Sequence, residues 1–201
     1  MTEKTSKTKL VFSTTNRVIS IISNSLETSR TKANLAKLRN SVGKSLGENP
    51  SNFQIIYENM AEELLNPNFK LSKAEEAVIT SLQLYAIHQQ SKSYSVNEIS
   101  ENKGWDNFGN SLSFLRTNDD NTALDNRFNA MITSSTFDEL INHLRQLVKL
   151  LRSSDKNIKV NYPKLSTDLY KFLNGDNNTI KLNWARAYYF TKEKGEEKND
   201  K

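Results

Sequence analysis

The sequence predicts an all-α fold, a bundle of about eight or nine helices. Three observations carry this. Nearly every patterned segment places its apolar residues three and four apart. Helix start and stop residues bracket those segments. Strand patterning is confined to "NIKVNY", Asn157 to Tyr162, which is too short to build a sheet.

Residues 1–12 open with the basic "MTEKTSKTK", which lacks an apolar signal core, and they are expected to be a disordered N-terminus. A helix is expected from Asn16 to Leu26, carrying Val18, Ile19, Ile22 and Leu26, and another from Lys32 to Val42, carrying Leu35, Leu38 and Val42, with Gly43 as its stop. "GKSLGENP" is punctuated as a loop. Ser51 is the expected N-cap of a helix ending before Pro67, with Phe53, Ile56, Tyr57, Met60, Leu64 and Leu65 inward. Ser72 and Glu75 form a capping box for a helix running to Gln90. The polar stretch 91–106 reads as a loop. It is a candidate divide between two lobes, residues 13–106 and 107–194. Short helices follow at Phe108–Arg116 and Ala123–Ile132. Thr136 and Glu139 cap a long one, Pro163 suits the first turn of the next, and the last runs from Ile180 to Phe190. Residues 195–201 read as a disordered tail.

The long helix, "FDELINHLRQLVKLLRSS", carries two stripes. Phe137, Leu140, Ile141, Leu144, Leu147, Val148 and Leu151 share one face. Arg145, Lys149 and Arg152 form a second, roughly 90–120° away at about 100° per residue, beside the first rather than opposite it. The charge of the chain is skewed in the same direction. Its net charge is +5. Residues 137–194 hold eleven Lys and Arg against six Asp and Glu, while the rest of the chain holds seventeen of each, so the whole excess lies in the last third. Such asymmetry is the footprint expected of a face that binds a polyanion. A solvated surface would leave the same pattern.

Other chemistry finds little support. The chain has no cysteine, which excludes thiol nucleophiles, thiolate metal sites and disulfides, and fits a reducing compartment. No apolar run approaches the ~18 residues of a membrane span, so a cytoplasmic protein with no membrane partner is expected. Gly43-Lys44-Ser45 has the end of a phosphate-binding loop, but Leu38 stands where that motif needs glycine. His88 and His143 lie on different helices without partners at metal-ligand spacing. The paired acids Glu62-Glu63, Glu75-Glu76 and Asp119-Asp120 do not converge with a nucleophile or base. No catalytic residue, metal or cofactor is expected. Tyr162, Tyr170, Phe172, Trp184, Tyr188, Tyr189 and Phe190 lie among basic residues and could stack on bases, but most have core spacing.

Several segments together resemble one family. These are "LAKLRNSVGKSLGENP" with its Leu-Arg and Gly-Lys, "LQLYAIHQQ", "NFGNSLSFLR", "DNRFNAMITSS", "LINHLRQLVKLLRS", "VNYPKLSTDLYKFL" and "NWARAYY", in that order over Leu35 to Phe190. The order is similar to that of CasB, the small subunit of the type I-E CRISPR surveillance complex Cascade. The resemblance implies an all-helical, non-catalytic subunit. It implies as partners the backbone and large Cascade subunits, a second copy of the chain, CRISPR RNA and target DNA, including the displaced strand of the R-loop. Carried over by motif, the nucleic-acid-binding residues are Arg39, Lys44, Arg127, Arg145 and Arg186. Arg116, Lys149 and Arg152 join them chiefly from the stripe. The family often has a second arginine after Leu-Arg, where this chain has Asn40. Each basic residue could instead serve the fold, Arg127 by pairing with Asp125 or Glu139, and Arg186 through an internal salt bridge. The alternative reading from a different class is a basic helical scaffold that binds an acidic protein.

Overall fold

The computed structural model describes residues 2–43, 49–68, 70–100, 106–117 and 120–190, with side chains from residue 6 onward. Its centre is a helix that has almost no outer face. Between Lys73 and His88 every residue from Ala74 on is buried except Glu76. A helix apolar nearly all round has to be enclosed by others. Its polar residues are spent on neighbours: Ser81 Oγ donates to the carbonyl of Tyr162 (2.8 Å), and Gln83 Nε2 to Ser41 Oγ (2.9 Å). The expected capping box is present, with Ser72 accepting from the Glu75 amide and Glu75 from the Ser72 amide.

In chain order the helices are α1 (Thr2–Ser23), α2 (Ser29–Asn40), α3 (Gln54–Tyr57), the central α4 (Lys73–His88), α5 (Phe108–Ser113), α6 (Thr122–Thr133), α7 (Phe137–Ser153), α8 (Tyr162–Leu173) and α9 (Asn177–Tyr189). The fold is all-α. Among the described residues the β content is one isolated parallel bridge between Asn97 and Val160. It lies within the "NIKVNY" stretch and ties the loop after α4 to the α7–α8 connection. Helices α1, α2, α7 and α8 pack around α4, while α5 crosses α9 and α6 lies against α7 and α9. Gly109 makes the α5–α9 crossing possible, because a Cβ there would lie 2.0 Å from the Trp184 carbonyl oxygen.

Three expectations need correction. Residues 2–12 are helical, the first half of α1. Thr14 and Thr15 are buried between Val11 and Val18, so threonines occupy inward positions that a hydropathy pattern leaves blank. Thr15 Oγ1 lies 2.9 Å from Ser166 Oγ on α8. The helix expected from Ser51 is broken into a 3-10 turn at Pro50–Phe53, the single turn α3 and a second 3-10 turn at Glu62–Leu64. Asn59 Nδ2 donates to the Ile55 carbonyl (2.9 Å), occupying the acceptor that helix propagation would use. Tyr57 and Leu65 are consequently exposed, not inward. Finally, one apolar cluster runs across the expected lobe divide, since α4 buries itself against α7 and α8. The expected tail, 195–201, lies outside the described residues.

Candidate nucleic-acid interface

α7 is built as its spacing predicts. Thr136 accepts from the Glu139 amide at its start, and Leu140, Leu144, Leu147, Val148 and Leu151 are buried. Because the basic stripe lies beside this apolar face, Arg145 and Arg152 emerge half-buried, while Lys149 stands exposed between them.

The ends of α2 and α4 meet that stripe. α2 ends at Asn40, and Gly43, in the turn that follows, has a φ of +75°, the left-handed conformation that glycine adopts without strain. The Arg145 guanidinium lies against it, and a Cβ on Gly43 would stand 2.9 Å from Arg145 Nη1. Arg145 Nε is buried without a hydrogen-bond partner. Arg152 Nη1 donates to Gln90 Oε1 (2.6 Å), just past the end of α4. Arg39, half-buried in the last turn of α2, completes the group, its pKa lowered by burial and by the charge of Arg152. His88, on the last turn of α4, donates or accepts at Tyr162 OH through Nδ1 (3.0 Å). Its pKa is lowered to about 4 by burial, then by Lys92 and Arg152. The electrostatics are one-sided. Among the described residues no carboxylate forms an ion pair with Arg39, Arg145, Lys149 or Arg152. Lys44 follows Gly43 directly but lies outside the described residues.

The other three residues do not join this group. Arg116 is ion-paired with Asp125, and its guanidinium lies 5.1 Å and 5.5 Å from the ring centroids of Tyr188 and Tyr189. Tyr188 OH also donates to Asp125 (2.6 Å), and burial with that carboxylate pushes its pKa up. Arg116 is thus a neutralised strut between α5, α6 and α9. Arg127 and Arg186 are exposed on α6 and α9. Arg127 pairs with neither acid suggested by its sequence position, since Asp125 holds Arg116 and Glu139 accepts from the Ser135 amide. Of the aromatic residues, Tyr162, Tyr170, Phe172, Trp184 and Tyr188 are core, and Tyr189 and Phe190 are exposed. Sequence reasoning missed Gln90 and Lys92, which sit in or beside a stretch readable only as polar loop.

Guanidiniums from the end of α2 and the side of α7, without a carboxylate ion pair among the described residues, are chemistry for an anion. The family model described as CRISPR-associated protein Cse2 matches residues 34–189, which include every one of these side chains. The chain belongs to the Cse2 family. Its structure is similar to the crystal structure of CasB from Thermobifida fusca, with a TM-score of 0.70 and 26% identity, over 90% of this chain and 98% of that one. No curated protein matches the chain. Cse2 membership makes it a CRISPR-associated subunit that partners other Cascade components, in a family of structural subunits rather than known enzymes. Among the described residues no group of three His, Cys, Asp or Glu side chains could hold a metal ion, and no helix is long and apolar enough to cross a membrane.

Proposed function

We propose that this Cse2 protein is the non-catalytic small subunit of a type I-E Cascade complex in the cytoplasm, where it binds the backbones of guide RNA and target DNA and stabilises the displaced strand. The observation that carries the reading is the cluster of Arg39, Arg145 and Arg152, with Lys149 at its edge, brought together from α2 and α7 without an ion-paired carboxylate among the described residues. Assembling like charges costs free energy in the unbound protein, and phosphate oxygens relieve it. Guanidiniums present a planar fork that matches a phosphate. Such contacts carry no base information, as a subunit serving every guide requires.

The energetics of unwinding give these contacts their weight. The guide–target hybrid is about as stable as the DNA duplex it replaces, so protein contacts to the strands tip the balance. Lys44, next to Gly43 in the sequence, is a further candidate backbone contact in this reading. Arg127 and Arg186 are separate exposed charges that suit further backbone contacts, with the backbone and large subunits and a second copy of the chain as the other partners. Arg116 contributes through the fold.

Co-purification with the neighbouring Cascade subunits and a guide RNA tests the assembly. Competition tests the chemistry. Single-stranded DNA of any sequence should compete for the basic face at matched ionic strength. A face that binds an acidic protein instead would retain its partner under that challenge.

A further inference from the structure

Arg152 is held by a neutral side chain, where Lys156 and Lys181 donate to backbone carbonyls of Phe114 and Ser134 and others meet carboxylates. Arg116, Lys159 and Lys164 are each pinned by a carboxylate, of Asp125, Glu98 and Asp168 respectively. Arg152 is pinned by an amide oxygen, that of Gln90, at 2.6 Å. The backbone that carries Gln90 is braced on both sides. Before it, the buried Gln89 donates through Nε2 to the carbonyls of Lys92 and Tyr94 and accepts from the Val96 amide. After it, Ser91 takes a φ of 64°, a left-handed turn that a serine keeps only when its surroundings hold it there.

The two kinds of partner differ in what they leave behind. A carboxylate fixes a guanidinium and cancels its charge. An amide oxygen fixes its direction and leaves the charge whole. Only Nη1 of Arg152 is engaged by Gln90, so the rest of the planar fork remains to meet an anion. We propose that Gln90 is a positioning residue that aims Arg152 at a nucleic-acid backbone without neutralising it. This rests on the function proposed above and assigns part of it to an uncharged residue. Fixing the side chain beforehand removes much of the ordering cost that a free arginine meets on binding.

The experiment is a salt series of single-stranded DNA binding to the full chain, using one mixed-sequence oligonucleotide and three variants. Arg152→Gln removes one contact and should flatten log K against log salt by about 0.7. Gln90→Glu is nearly isosteric and keeps the hydrogen bond, yet should flatten the slope by the same amount of about 0.7, with the melting temperature unchanged or raised. Gln90→Ala leaves the charge but not the aim, so the slope should stay as in the wild type while affinity drops roughly two- to tenfold. A merely structural role for Gln90 would not separate slope from affinity in this way. If Arg152→Gln flattens the slope but Gln90→Glu does not, or Gln90→Ala binds like the wild type, the positioning role is refuted. If Arg152→Gln itself leaves the slope unchanged, the phosphate contact of Arg152 is wrong, and the role of Gln90 falls with it.

Discussion

Replacing both stripe arginines, Arg145→Gln with Arg152→Gln, separates binding from folding. Neither side chain belongs to the apolar face of α7, whose buried residues are Leu140, Leu144, Leu147, Val148 and Leu151. The stability terms nearly cancel. Arg152 lies in the last turn of α7, so its loss removes a favourable interaction with the helix dipole of about 0.3–1 kcal/mol, along with its exposed hydrogen bond to Gln90, which water partly replaces. Against this, Arg39 is released from the charge that lowers its pKa, and the unpartnered Arg145 Nε leaves the interior. The net change should stay within about 1 kcal/mol, or roughly 2–4 °C in Tm for a chain of this size. Binding behaves differently. Two phosphate contacts to a single strand contribute a slope of about 1.4 in log K against log salt. The advantage of wild type over variant should therefore shrink about sevenfold for a fourfold rise in salt. Fluorescence anisotropy over a salt series measures this, and the slope change should be equal for unrelated sequences. A folded variant with the wild-type slope would show the stripe to be a solvated face. A Tm lower by well over the stated range would show that the arginines hold the fold.

Three further outcomes follow from the core. Gly109→Ala should cost about 3 kcal/mol, seen as a fall of roughly 6–12 °C in Tm, because its Cβ would meet the Trp184 carbonyl oxygen at 2.0 Å in backbone that cannot step aside. Asp168→Ala should cost about 3 kcal/mol in urea denaturation, since the buried carboxylate accepts from the Trp184 indole (2.9 Å) and pairs with Lys164; Asp168→Asn should cost less, its amide oxygen still serving the indole. His88 stays neutral in the fold down to about pH 4 against 6.5 when unfolded, so the unfolded chain binds the extra proton between those values, and stability present above 6.5 is lost as the pH falls through that window. The loss amounts to about 3 kcal/mol. Urea denaturation of wild type and His88→Gln at neutral pH and near pH 4 should show the variant losing less.

Most of the fold was legible because helix signals are local. The Ser72–Glu75 capping box, Pro163 in the first turn of α8 and the apolar spacing of α7 are each complete within a few residues. The misreadings share a cause. In α1 the inward positions between Val11 and Val18 are Thr14 and Thr15, whose burial depends on α8 and on acceptors that a sequence does not display. At 51–65 the apolar residues have helical spacing, but Asn59 takes a backbone acceptor, and the chain breaks into turns. In both places a polar side chain decided the outcome through a hydrogen bond, which hydropathy does not register.

The site was half legible for a related reason. Spacing along α7 reveals that Arg145, Lys149 and Arg152 share a stripe, and the offset from the apolar face reveals that the stripe borders a helix seam. What makes an arginine available is the identity of its neighbour across that seam, which is tertiary information. Arg116 and Arg152 look alike in sequence, each a basic residue near a helix end. One meets Asp125 and two tyrosine rings, the other meets Gln90 and the charge of Arg39. The same side chain is thereby a strut in one place and an unspent cation in the other. The distinction also explains why net charge is a poor guide to this surface. A total of +5 is modest, yet charge acts on a ligand within about a Debye length of ~8 Å at physiological salt. Three guanidiniums and a lysine lie along α7 and at the end of α2, with no carboxylate ion-paired to them among the described residues, so their charge is local, whatever balance the rest of the chain keeps.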